Sequence, residues 1–157
     1  MFGVDIDKQK LKIAERSGLK SLINGKERDA VNEILKRGKG KGVDIAVEAS
    51  GSVSVLEQAI KSVKNFGRIG LVGRAEKDVV IAWPTFVSIL RKEISLFGIW
   101  GFEPIESWKE CLRIMAEDGI KTEPLITHRI GLVETGDIIN KMHQRKEFFN
   151  KVLIIQE

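Results

Sequence analysis

The chain has 157 residues, 43% of them hydrophobic, and a formal charge of +4. That length supports one domain with a core of its own, while the single cysteine, Cys111, excludes an internal disulfide and, with only His128 and His143 beside it, a zinc cluster of soft ligands. The apolar runs are too short to span a bilayer and the basic stretch from Arg37 to Lys41 is broken by glycines, so we expect a soluble cytoplasmic protein with no membrane or nucleic-acid partner.

Phe2-Gly3-Val4-Asp5-Ile6 reads as a short strand, after which Asp7 is placed to cap a helix carrying Leu11, Ile13 and Ala14 and closed by Gly18. Leu22 to Asn24 forms a second strand, Asn24-Gly25 a turn, and Ala30, Val31, Ile34 and Leu35 recur at helical spacing until Gly38. Val43 to Val47 is β-branched and largely apolar, as a strand covered on both faces should be. Ser54 with Glu57 has the form of a capping box for a helix whose stripe is Leu56, Ala59, Ile60 and Val63.

Gly67 to Gly73 is the next expected strand, Trp83-Pro84 opens a helix through Phe86, Ile89 and Leu90, and Ile94 to Trp100 is a further strand. Ser107 and Glu110 repeat the capping-box pattern ahead of Trp108, Leu112 and Met115, with Cys111 on the inner face and Gly119 as the stop. Leu125 to His128, a helix around Ile138, Ile139 and Met142, and a closing strand from Lys151 to Ile155 complete the chain. Strands separated by helices require crossover connections, so the class is α/β with a parallel sheet.

In doubly wound sheets ligands sit at the carboxyl ends of strands. Asp5 is the first polar residue so placed; it reads as a ribose-binding acid, a solvated turn residue or a helix cap. Lys10 lies near it on the following helix and reads as a second ribose or phosphate contact or as a water-facing lysine. Ser50-Gly51 and Gly70 to Gly73 put bare backbone at strand ends, where a flat ring can approach closely. His128 has no carboxylate or serine placed to complete a triad and reads as structural.

The ordered segments GVDIDKQKLKIAERSG, GKGVDIAVEASGS, GRIGLVG, LRKEISLFGIWG, EPLITHRI and FFNKVLI resemble the C-terminal part of the zinc-type medium-chain dehydrogenases, closest to their alcohol and polyol branch. The resemblance implies a partial Rossmann-like domain over residues 1–124 and a segment, 125–157, that in the family returns to the catalytic domain. It makes Asp5 the ribose-binding acid with Lys10 beside it, and sets Ser50 and Gly51 by the adenosine side of the cofactor. It further sets Val72, Gly73 and Arg74 along the nicotinamide, and Ile99, Trp100 and Gly101 at its carboxamide. NAD is the implied cofactor.

The family's GxGxxG strand is not among these residues; Gly38 to Gly42 and Gly67 to Gly73 have other spacings. The resemblance therefore implies a sheet without its first, central strand, so that the strands ending at Asp5 and Glu48 either pair directly or leave a gap. It assigns zinc to an N-terminal half not represented here, and implies a fragment of an NAD-dependent dehydrogenase inactive alone. The alternatives are a non-catalytic nucleotide-binding or interaction module and an inert truncated product. A homo-oligomer through Ile94 to Trp100, or assembly with a complementary N-terminal half, is the expected partnership, and the closing strand should lack its usual neighbours.

Overall fold

The computed structural model describes all residues except 102–104, 118–120, 146 and 157. Strands and helices alternate: β1 Phe2–Asp5, α1 Lys8–Arg16, β2 Ser21–Asn24, α2 Ala30–Arg37, β3 Val43–Glu48, α3 Val53–Ser62, β4 Val63–Leu71, α4 Trp83–Lys92, β5 Ser95–Gly98, α5 Glu106–Ala116, β6 Ile126–Gly131, α6 Thr135–Gln144 and β7 Lys151–Ile155. Among the described residues every ladder is parallel, giving the expected α/β class. Three sheets result among the described residues, β1-β2, β3-β4-β5 and β6-β7. No ladder joins β1 to β3, and β7 finds a parallel neighbour in β6. Among the described residues no helix is long and apolar enough to cross a membrane.

The chain divides into two compact units, Met1–Gly25 with Pro104–Glu157, and Lys26–Glu103. In the first, Asp7 caps α1 as its position suggests, its side chain accepting the Gln9 N–H, and Ile13 and Ile23 are buried. Ile130 of β6 and Ile138 of α6 are buried in the same unit. In the second, Ile60, Val63, Ile69 and Ile94 form the core, with Leu56, Ala59 and Ile89 packed on it. Burial of side chains of this size stabilises by roughly 1.5 to 3 kcal/mol each.

Several local expectations are corrected. The cap of α3 is Ser52, and Ser54 lies inside the helix. Glu57 does not turn back on its own helix; its carboxylate accepts the Ala82 N–H at 2.7 Å, tying α3 to the start of α4. Val63 leaves the helix and starts β4, four residues before the expected Gly67, because its side chain fills the core from the sheet. β4 pairs Val63 with Val43, then loses register until Arg68 meets Ile45; Phe66 lies in that gap with a left-handed φ of 60°.

Ser107 is likewise inside α5, whose Glu110 is drawn to Arg113 at 2.6 and 2.8 Å rather than to the helix start. Cys111 is exposed, as are Trp108, Leu112 and Met115, so that face of α5 is not an inner one. Gly119, the expected stop, falls outside the described residues. The strand expected over Ile94 to Trp100 contracts to β5, because Ile94 turns into the core before it.

Candidate functional site

Asp5 ends β1. Its Oδ1 accepts the Asp7 N–H at 2.9 Å and its carbonyl accepts the Gly25 N–H at 3.0 Å. The capping of α1 falls to Asp7, so the Asp5 carboxylate is not consumed as a cap. Half-buried, it retains acceptor capacity on Oδ2, for which no hydrogen bond is found among the described residues. Lys10, on the first turn of α1, is exposed. Both residues belong to the first unit.

The other expected positions lie in the second unit, around Glu48 at the end of β3. Glu48 is 4% exposed. Its Oε1 accepts the Ser50 N–H at 2.7 Å, the Ser50 hydroxyl at 2.5 Å and the Gly51 N–H at 3.0 Å. Oε2 is 3.2 Å from the same Gly51 nitrogen. Its backbone carbonyl accepts the N–H groups of Val72 at 2.8 Å and Gly73 at 3.0 Å, where β4 ends.

The two turns touch through backbone. Gly51 has φ +74°, and a Cβ there would overlap the Arg74 carbonyl; a Cβ on Gly73 would overlap the Gly51 nitrogen and meet the Glu48 carboxylate. Only glycine satisfies such approaches without displacement. The structure thus brings Ser50, Gly51, Val72, Gly73 and Arg74 together at adjacent strand ends. Glu48 was not singled out by sequence reasoning. Its signal was the charge itself, an acid closing an apolar strand ahead of three small residues.

Past β5, the Ile99 N–H donates to the Leu71 carbonyl at 2.9 Å, and the Ile99 side chain lies over Gly70. Trp100 is 85% exposed, and Gly101 turns with φ +81°. Ile99 therefore joins the β4 end of the cradle, while Trp100 and Gly101 lead away from the ladder. His128 is held by Thr127 Oγ1 at 2.9 Å and by the Phe149 ring, with centroids 4.5 Å apart. Among the described residues no three His, Cys, Asp or Glu side chains are grouped to hold a metal ion.

The profile of the zinc-binding dehydrogenases matches residues 1–117. The chain is 30% identical over 125 residues to L-threonine 3-dehydrogenase of Saccharopolyspora erythraea, covering 80% of this chain and 35% of that protein. It is 27% identical over 150 residues to sorbitol dehydrogenase of Bacillus subtilis, covering 96% and 41%. The crystal structure of galactitol-1-phosphate dehydrogenase from Escherichia coli superposes with a TM-score of 0.87 at 26% identity, over 99% of this chain and 46% of that one. The chain thus spans less than half the length of these relatives. Two further structures of the same fold, each 22% identical, hold NADH and NADP respectively.

Proposed function

This chain belongs to the zinc-binding dehydrogenase family, and from that premise we propose that it is the cofactor-binding part of an NAD-dependent alcohol or polyol dehydrogenase. Such an enzyme moves a hydride from the carbinol carbon of a secondary alcohol to the nicotinamide ring, and the hydroxyl proton leaves to a base, giving a ketone and NADH.

The observation that carries the reading is the Asp5 carboxylate, with an oxygen to spare at the carboxyl end of a parallel strand. Ribose hydroxyls donate to such a group, and its charge opposes the additional phosphate of NADP. Lys10 is its basic neighbour on α1. Ser50 and Gly51 bound the adenosine side. Val72, Gly73 and Arg74 line the nicotinamide, and Ile99, Trp100 and Gly101 meet its carboxamide. Their contribution is placement, since backbone N–H and C=O groups in close-packed turns hold a ring without reorganising.

The reading assigns the catalytic zinc, a Lewis acid for the alcohol oxygen, to a complementary zinc-bearing half. The chain alone is then inactive, and mixing it with that half, zinc and NAD restores turnover. It pairs with a second copy through the strand edge within Ile94 to Trp100, and works in the cytoplasm. Which alcohol is oxidised depends on residues of the other half.

Titration calorimetry on the full chain tests the cofactor assignment. NAD binds more tightly than NADP, and Asp5→Ala weakens NAD about 10- to 100-fold, as loss of a hydrogen bond to a charged group does. An absence of heat with millimolar NAD, or equal affinity in Asp5→Ala, refutes it.

A further inference from the structure

We infer that Glu48 is the positioning residue of the cofactor cradle, setting the turns at Ser50–Gly51 and Val72–Arg74 against each other from a single side chain and a single carbonyl. This rests on the reading that these turns hold NAD. Its evidence is independent of Asp5 and lies wholly within one unit.

Glu48 is almost wholly buried, yet among the described residues no lysine, arginine or histidine is within ion-pair distance of it. A buried carboxylate without a cation is strongly disfavoured unless hydrogen bonds replace its water. Here the replacement consists of donors only: the Ser50 N–H, the Ser50 hydroxyl and the Gly51 N–H. An apolar residue at the same place would fill the space but leave those three donors without an acceptor. What the carboxylate adds is direction. It fixes the path of the Gly51 turn, whose left-handed backbone then lies against Gly73 and Arg74 with no side chain between them. The Glu48 carbonyl fixes the other side through Val72 and Gly73.

Glu48 is therefore a positioning residue rather than a catalytic one, and Glu48→Gln should reveal it. Glutamine keeps the size but replaces one acceptor oxygen by an NH2 group, in a pocket whose partners are all donors. The experiment pairs NAD titration with residue-resolved amide exchange on the full chain.

In Glu48→Gln the Kd for NAD rises at least tenfold and exchange at Ser50, Gly51 and Gly73 accelerates, while the sheet amides of Ala46 and Ile69 keep their wild-type protection. Unchanged affinity with unchanged turn exchange overturns the proposal. So does a uniform acceleration across turns and sheet, which marks a residue that merely stabilises the unit. If Glu48→Gln does not fold, Ser50→Ala removes the hydroxyl bond alone; a several-fold loss of NAD affinity with faster turn exchange supports the proposal, and no change in either overturns it. If the wild-type chain binds no NAD, the functional reading fails, and turn exchange by itself decides whether Glu48 sets the two turns.

Discussion

A left-handed backbone under a large side chain costs roughly 1 to 2 kcal/mol, and Phe66 carries one while 70% exposed. Little burial offsets that cost. Phe66→Gly should raise stability by about 0.5 to 1 kcal/mol after allowing for the added freedom of glycine in the unfolded chain, seen as a higher urea midpoint at unchanged slope. At this scale the sequence was legible where a residue acts through its neighbours in the chain. Asp7 caps the helix that its position announced, and Asp5 sits at the strand end that the apolar run before it marked. Glu48 was not legible, because a strand-end acid ordinarily faces water. Its burial is created by the Gly73 turn, more than twenty residues away.

The elements themselves were legible to within a turn; their ends were less so, since long-range bonds displace local rules. Glu57 holds the Ala82 N–H just before α4 instead of closing the start of α3, and Lys92 of α4 closes the carbonyl end of α3, its Nζ lying 3.4, 3.0 and 2.8 Å from the carbonyl oxygens of Ile60, Lys61 and Val63. Partial burial there pushes the Lys92 ammonium below its ordinary value of 10.5. Folding then releases a proton in the interval between the lowered and the ordinary value. Stability contributed by this group is therefore flat at lower pH, rises with pH through that interval and levels off above it. Lys92→Met should abolish that alkaline rise and, by leaving three carbonyls without their donor, lower stability at neutral pH by about 1 to 3 kcal/mol. Urea titrations of both proteins between neutral pH and the ordinary lysine range measure it.

At the scale of the molecule, the alternation of strand and helix announced the parallel class, and resemblance supplied the family. The division into three sheets was not legible, because pairing between strands is decided by which edges meet rather than by periodicity. β5 is an edge strand with Leu96 and Phe97 exposed, an arrangement that invites a second strand. If copies join there, Phe97→Lys should shift the chain toward monomer in light scattering at micromolar concentration, since an ammonium in a closed strand interface is costly to desolvate.

Each ladder joins strands that are consecutive among the strands of the chain, and this has a consequence in time. A sheet of this kind is complete as soon as its second or third strand has left the ribosome. Residues 26–103 can therefore reach their final pairing while later sequence is still being made. The first unit forms its β1-β2 pairing early as well, but completes its packing only with residues beyond 103. Amide exchange on ribosome-bound chains stalled far enough past residue 103 to free it from the exit tunnel should accordingly find Ala46 and Ile69 already protected.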